Sequence, residues 1–254
     1  MEDGRYDFDK LRRRLVFKQM TQPIIGTLSE KSLHAALKRR FAGDGDLLEQ
    51  AVDGYVIDVV KAYRLVEIQT GNFGGMKRKL AALLPTHKIE LVHPIAQEKW
   101  IVRQDANGRF LSRRKSPKRG RWEDIFAEMM RIPHLMLHPN LTVTLLLITQ
   151  DEIWKDDGKG SWRRKRWSID DHRLREVVAE RQFSTAADWL AFLPDELPSP
   201  FTNRELGTAV FQKKPNKQQS KLAPKISYTL RHAGLLTVVG KQGNALLYQL
   251  PAHS

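Results

Sequence analysis

Two acidic side chains stand inside runs of residues that otherwise favour burial. Asp58 interrupts Tyr55-Val56-Ile57-Asp58-Val59-Val60, and Glu67 interrupts Leu65-Val66-Glu67-Ile68-Gln69. Short runs rich in β-branched and aromatic residues predict strands, placed here over about 51–60 and 64–70. A carboxylate among them loses hydration and needs compensation. A hairpin centred between Ala62 and Tyr63 sets Asp58 and Glu67 directly opposite each other, with Cβ atoms about 5 Å apart on one face. Like charges so placed are destabilising, and a hard divalent cation that takes oxygen ligands is the natural remedy. Gln69 shares the face of Glu67 because side chains alternate along a strand. This register needs an even-length loop; an odd one separates the acids.

The surrounding pattern is mixed. Residues 28–41 read as a helix with Leu33, Ala36, Leu37 and Phe41 on one face. A helix at 75–84 stops before Pro85, and a strand follows at 88–96. A basic hairpin over 99–115 turns at Asn107-Gly108. A helix runs over 121–131, Leu141–Thr149 is a buried strand, and 170–193 reads as helical. Asp53 precedes Gly54 and reads as a turn residue rather than a ligand. The alternation of helices and strands predicts an α/β fold with a mixed sheet. The absence of cysteine excludes a disulfide framework, a thiol nucleophile and Cys-based zinc sites. No apolar run reaches the ~20 residues of a membrane helix, and the N-terminus lacks a secretory pattern, so the expectation is a soluble, cytoplasmic chain with no membrane partner.

Charge points to the partner. The chain of 254 residues has 43 Lys+Arg against 29 Asp+Glu, a net charge of +14. Such an excess implies an anionic partner, most often nucleic acid. The excess is clustered. Residues 201–254 hold eight Lys/Arg against one acid, Glu205, and 103–121 hold eight more, Arg113 and Arg114 among them. A third cluster, Arg163-Arg164-Lys165-Arg166, lies between Trp162 and Trp167; it could stack bases or grip phosphates, or be a solvated loop. Gly71-Asn72-Phe73-Gly74-Gly75 precedes a helix carrying Lys77 and Lys79, where amides and positive charge could hold a phosphate, although a P-loop is absent.

Three prolines within 194–200 mark a linker. After it, Thr202-Asn203-Arg204-Glu205 is a capping box flanked by Phe201 and Leu206. A short helix near 218–222 follows, then one from Pro224 to a Gly234 cap. Ile226, Leu230 and Ala233 form its inward stripe, and Lys225, Tyr228, Thr229 and His232 its other face. Strands at 235–239 and 245–250 close the chain. Three helices and a hairpin resemble a winged helix-turn-helix domain. That resemblance implies Lys225, Tyr228 and Thr229 facing the major groove, with Lys241 at the wing tip on phosphate. A winged helix used for protein contacts remains open.

Glu30 on a first helix, Asp58 on a strand and Glu67-Ile68-Gln69 on the next resemble the PD-(D/E)xK nuclease core, which includes restriction endonucleases, Holliday-junction resolvases and RecB-type nucleases. The core order of helix, strands, helix and strand fits residues 28–96. One departure is that Gln69 stands where the family has lysine; some restriction endonucleases carry glutamine there, and Lys77 or Lys79 could substitute. The resemblance implies Mg²⁺, or Mn²⁺, held by Asp58, Glu67 and the Ile68 carbonyl. Gln69 would orient the attacking water but cannot act as a base. Glu30 would hold a second metal or polarise a water. Thr27-Leu28-Ser29-Glu30 is also a capping box, so Glu30 could serve only its helix, and Asp58, Glu67 and Gln69 could be structural.

The expectation is therefore a restriction-endonuclease-like mixed sheet flanked by helices over 1–193, a linker at 194–200, and a small winged-helix domain over 201–254. The expected function is DNA binding, on double-stranded DNA, with Mg²⁺-dependent endonuclease activity in restriction, defence or repair. A palindrome cutter would work as a homodimer, for which the sequence carries no interface signal. The alternatives are an inactive nuclease fold that binds DNA and a winged-helix transcription regulator.

Overall fold

The turn at Asp53-Gly54 sets the first part of the fold. In the computed structural model, which describes residues 31–212 and 216–251, both turn residues have positive φ, 47° and 83°. That conformation matches the twist of a two-residue hairpin. It cuts the apolar run expected over 51–60 into β1 (Leu47–Val52) and β2 (Tyr55–Val60), which pair antiparallel. β3 (Leu65–Ile68) pairs antiparallel with β2. Ahead of them, α1 (Ser32–Phe41) buries Leu33 and Leu37 and packs on β2 and β3. The start of the helix expected from 28 lies outside the described residues.

α2 (Phe73–Leu83) stops ahead of Pro85 as expected. β4 (Ile89–Gln104) is longer than the strand expected at 88–96, because it continues into the basic hairpin with β5 (Phe110–Lys115). Asp105 builds the turn: its Oδ1 accepts from the amides of Asn107 and Arg109, and Gly108 has φ 85°. A short 3₁₀ turn (Trp122–Ile125) leads into α3 (Phe126–Met129), and a second (Pro133–Leu135) leads towards β6 (Leu141–Lys155). The strands form an α/β architecture with a mixed, largely central sheet in the order β1-β2-β3-β4-β6-β7, with β5 on β4.

The segment 170–193 is a correction. It is not one helix but the long strand β7 (Ser168–Phe183) followed by the short α4 (Ala186–Leu190). Arg, Glu, Leu and Ala favour helix in isolation, but pairing along the sheet overrides a propensity of a few tenths of a kcal/mol per residue. α4 begins where Thr185 and Asp188 form a reciprocal capping box.

Among the described residues, one unit comprises 31–68, 98–118 and 149–176, and a second comprises 69–97, 119–148 and 177–251. The first has a core of Leu37, Ile57, Val59 and Val66, each without exposure. In the second, Phe126, Phe183, Trp189 and Phe192 pack with ring centroids 4.8 to 6.2 Å apart. The second unit also holds α5 (Asn203–Phe211), α6 (Lys217–Ser220), α7 (Ala223–His232) and a hairpin of β8 (Thr237–Gln242) and β9 (Ala245–Gln249). The expected capping box at Thr202 and Glu205 starts α5. No helix among the described residues is long and apolar enough to cross a membrane.

Candidate functional site

The loop between β2 and β3 is even in length. Val59 pairs with Val66 and Val60 with Leu65, the register expected from the sequence; one further step would set Asp58 opposite Glu67, but the paired ladder does not reach them. Glu67 is buried, at 5% exposure, and the Asp58 side chain is 18% exposed. The ladder does not simply continue, because Asp58 Oδ2 accepts from the Ile68 amide at 2.7 Å. The same oxygen lies 3.2 Å from His34 Nε2. Helix α1 carries His34, which sequence reasoning missed. The only signal for it was a histidine within the helix expected over 28–41. Glu30 itself lies outside the described residues. Deeper in this unit, Lys38 on α1 forms an ion pair with Glu49 on β1.

In the second unit, Gln69 is tied down along its whole length. Its amide donates to the Val92 carbonyl at 2.9 Å, its carbonyl accepts from His93 Nδ1 at 2.7 Å, and its side-chain amide donates to the Gly71 carbonyl. His93 is buried and meets the Phe73 ring edge-on, with centroids 5.2 Å apart. Burial lowers the His93 pKa, against the opposing pull of the Gln69 carbonyl, Glu128 and Asp124. The ring is therefore neutral near pH 7, with its proton on Nδ1 for the Gln69 carbonyl. At the start of α2, where the amides could hold a phosphate or simply form a turn, the Phe73 amide donates to Glu128 Oε2 at 2.9 Å. That carboxylate occupies the favourable end of the helix dipole. Lys77 is exposed and Lys79 half-buried along the same helix.

The basic hairpin is cross-braced. Arg113 lies over the Trp100 ring at 4.0 Å and pairs with Asp151 at 3.2 Å, while Arg175 reaches the same carboxylate at 2.7 Å. Lys115 pairs with Glu98 at 2.6 Å. Glu152 accepts from Lys99 at 2.6 Å and from Trp154 Nε1 at 2.8 Å. Burial pushes the Glu152 pKa up, but these bonds outweigh it and hold the group below its ordinary value. Arg114 is exposed and has no ion-pair partner among the described residues. Of the two arginines expected to contact DNA, Arg114 is thus available while Arg113 already serves the hairpin.

In the C-terminal segment, Tyr228 is exposed, with its ring 4.2 Å from that of His232. Lys225 is half-buried, and Lys241 is exposed near the β8–β9 turn. Thr229 departs from expectation: it has no exposure and does not share the outward face. α7 packs against α5 on one side and against α3 and the Pro133–Leu135 turn on another. The buried arc therefore widens from Ile226 and Leu230 to take in Ser227 and Thr229.

A divalent ion at the acid pair would have hard oxygen donors in the Asp58 and Glu67 carboxylates and the Ile68 carbonyl, a set that suits Mg²⁺. No cluster of three or more His, Asp or Glu side chains is gathered as a metal centre among the described residues. Comparison with known proteins gives kinship without chemistry. The family described as Domain of unknown function (DUF8091) matches residues 31–184. A protein of Treponema pallidum (strain Nichols), described as an uncharacterized protein, is 32% identical over 229 residues, 89% of this chain and 87% of that one. No solved structure matches.

Proposed function

We propose that this chain, which belongs to the family Domain of unknown function (DUF8091), is a DNA-binding protein with Mg²⁺-dependent endonuclease activity. The reading rests on one observation: the β2–β3 register of Val59 with Val66 and Val60 with Leu65, whose extension by one step would set Asp58 opposite Glu67. Two further features support it. The order α1-β1-β2-β3-α2-β4 is the order implied by resemblance to the PD-(D/E)xK core. The net charge of +14 suits a polyanionic substrate.

Asp58 and Glu67, with the Ile68 carbonyl, would hold the ion. Mg²⁺ when bound supplies a more acidic water and charge neutralisation at the phosphate. The chain's own part is positional. His34 and the Ile68 amide fix the Asp58 carboxylate. The buried Glu67 sits where water is scarce and electrostatic attraction is stronger than in bulk. Gln69 cannot take up a proton, and its side-chain amide must leave the Gly71 carbonyl to orient a water. Lys77, Lys79 and Arg114 would contact phosphate. Residues 201–251 would act as a winged helix, with Lys225 and Tyr228 towards DNA and Lys241 on its backbone.

The test is plasmid cleavage with Mg²⁺, Mn²⁺ or EDTA, using wild type, Asp58→Asn and Glu67→Gln. Metal-dependent nicking is expected, lost by at least ~100-fold in both variants, the scale seen when a transition-state contact is removed. A second reading, a binder without catalysis, is favoured by the engagement of Asp58 Oδ2 with the Ile68 amide and His34. Retained DNA binding with no cleavage in either metal would select it.

A further inference from the structure

One aromatic ring on the first unit is placed where folding alone gives no reason for it. Trp162 is 80% exposed, among the most exposed of the large apolar side chains. It sits in the β6–β7 loop, on the short 3₁₀ turn Trp162–Arg164. Between Gly158 and Ser168 the loop carries Lys159, Arg163, Arg164, Lys165 and Arg166 and no acid. The Arg163 guanidinium lies 5.5 Å from the Trp162 ring centroid.

The loop is built to hold this ring outward. Its neck is closed by the Gly160 amide donating to the Arg166 carbonyl at 2.8 Å, and by the Arg166 amide donating to the Ser161 carbonyl at 3.0 Å. Arg164 Nε donates to the Trp167 carbonyl at 3.2 Å. A Cβ at Gly160 would fall 1.8 Å from the Trp167 carbonyl oxygen, so only glycine fits there. Lys165 and Arg166 both adopt left-handed backbone, with φ of 51° and 66°. Each such residue costs about 1 kcal/mol or more. Backbone held against that cost, around a ring left in water, marks a surface shaped for a partner.

The neighbouring surface has the same character. The Asp156 amide donates to the Gln104 carbonyl at 3.0 Å, so this loop and the β4–β5 hairpin leave the sheet at one end. Arg103 joins them, 5.1 Å from the Trp167 ring centroid and 6.0 Å from that of Trp154. Phe110 and Leu111 on the hairpin are 60% and 51% exposed, and Arg109 and Arg114 on the same hairpin are exposed.

We infer that this end of the sheet binds single-stranded nucleic acid, with Trp162 as the platform on which an unpaired base stacks and the surrounding cations on the phosphates. Exposed aromatics interleaved with Arg and Lys suit bases whose faces are open; in a duplex those faces are covered by their neighbours. The inference rests on the nucleic-acid half of the reading above and is independent of the acid pair. A cleavage protein that holds a displaced or unpaired strand here would prefer junctions, ends or melted segments over continuous duplex.

Fluorescence anisotropy on the full chain tests it, with labelled oligothymidylate, oligouridylate and a mixed-sequence duplex of equal length, for wild type, Trp162→Ala and Trp162→Phe. Both single strands are expected to bind. Trp162→Ala should weaken them about 10-fold, within the ~1–3 kcal/mol measured per stacked base, and Trp162→Phe should retain most of the affinity. Duplex affinity should change less than about twofold, as backbone contact alone requires. An unchanged melting temperature of Trp162→Ala would show that the loss is local. Duplex binding with single-strand binding indifferent to Trp162→Ala, or equal losses on both substrates, overturns the inference alone and leaves Trp162 to a protein contact. Absence of binding to every nucleic acid overturns the reading beneath it as well.

Discussion

The hairpin end of the first unit and the C-terminal segment of the second are both strongly basic, yet they manage their charge in opposite ways. Around β4, β5 and β6 the cations are braced: Arg113 by Trp100 and Asp151, Lys115 by Glu98, Lys99 by Glu152. In 201–254 there is one acid for eight bases, and that acid, Glu205, caps α5 through the Thr202 amide at 2.7 Å. The first region organises its positive charge with its own side chains. The second takes its order from an apolar core of Leu206, Ile226, Leu230 and Leu236 and leaves Arg204, Lys221, Arg231 and Lys241 exposed. Local order and electrostatic availability are therefore separate properties, and a net-charge count alone does not distinguish them.

The largest expected effect is on that apolar core. Leu230→Ala removes a side chain with no exposure, and denaturant unfolding should show a loss of about 2–5 kcal/mol. A loss below 1 kcal/mol would mean that α7 is held by something other than its packing on α5 and α3. In the braced region, Trp100→Ala removes the ring beneath both Arg113 and Lys115. About 1–2 kcal/mol should follow, with packing lost as well as cation–π contact. A neutral result would make the bracing incidental.

Thr202→Ala should cost about 1 kcal/mol through loss of the cap, read from the same unfolding curves. Its partner carries a pH signature. The Thr202 amide and hydroxyl hold the Glu205 pKa below its ordinary value. A depressed folded pKa gives stability that is present above the unfolded value, and it is lost as pH falls through the folded value. Melting temperatures followed from neutral pH into the acid range should fall more steeply for wild type than for Glu205→Gln. Parallel curves would remove the capping role. Smallest of all, Arg114→Ala should leave stability within about 0.5 kcal/mol. If Arg114 touches a phosphate, the slope of log K against log salt should become shallower by about 0.9.

The β2–β3 register was legible in the sequence because both its determinants are local: strand composition on either side, and the even spacing about Ala62 and Tyr63. Asn107-Gly108 and Thr202-Asn203-Arg204-Glu205 were legible for the same reason, since turns and caps are read from adjacent residues. The residues that misled depend on partners far along the chain. β7 is a strand because of the sheet it joins, not because of Arg173, Glu176 or Ala179, which favour helix. Thr229 is buried because α7 has a second packing partner, which periodicity within a ten-residue helix does not reveal. His34 approaches Asp58 only once α1 lies across β2 and β3. Alternation predicted Gln69 on the face of Glu67, but β3 ends at Ile68, and the hydrogen bond from the Gln69 side chain to Gly71 could not be read from alternation.

The two ends of the strand order have a consequence for encounters between molecules. An uncovered outer strand offers a ready template on which another chain can zip by backbone pairing. β1 is kinked at Glu49, whose φ of 52° breaks its extended run, and β7 carries Asp170, Asp171, Arg173, Arg175, Glu176, Glu180 and Arg181. Both borders are thereby made poor seams for a neighbour, which disfavours edge-to-edge pairing between copies of this chain.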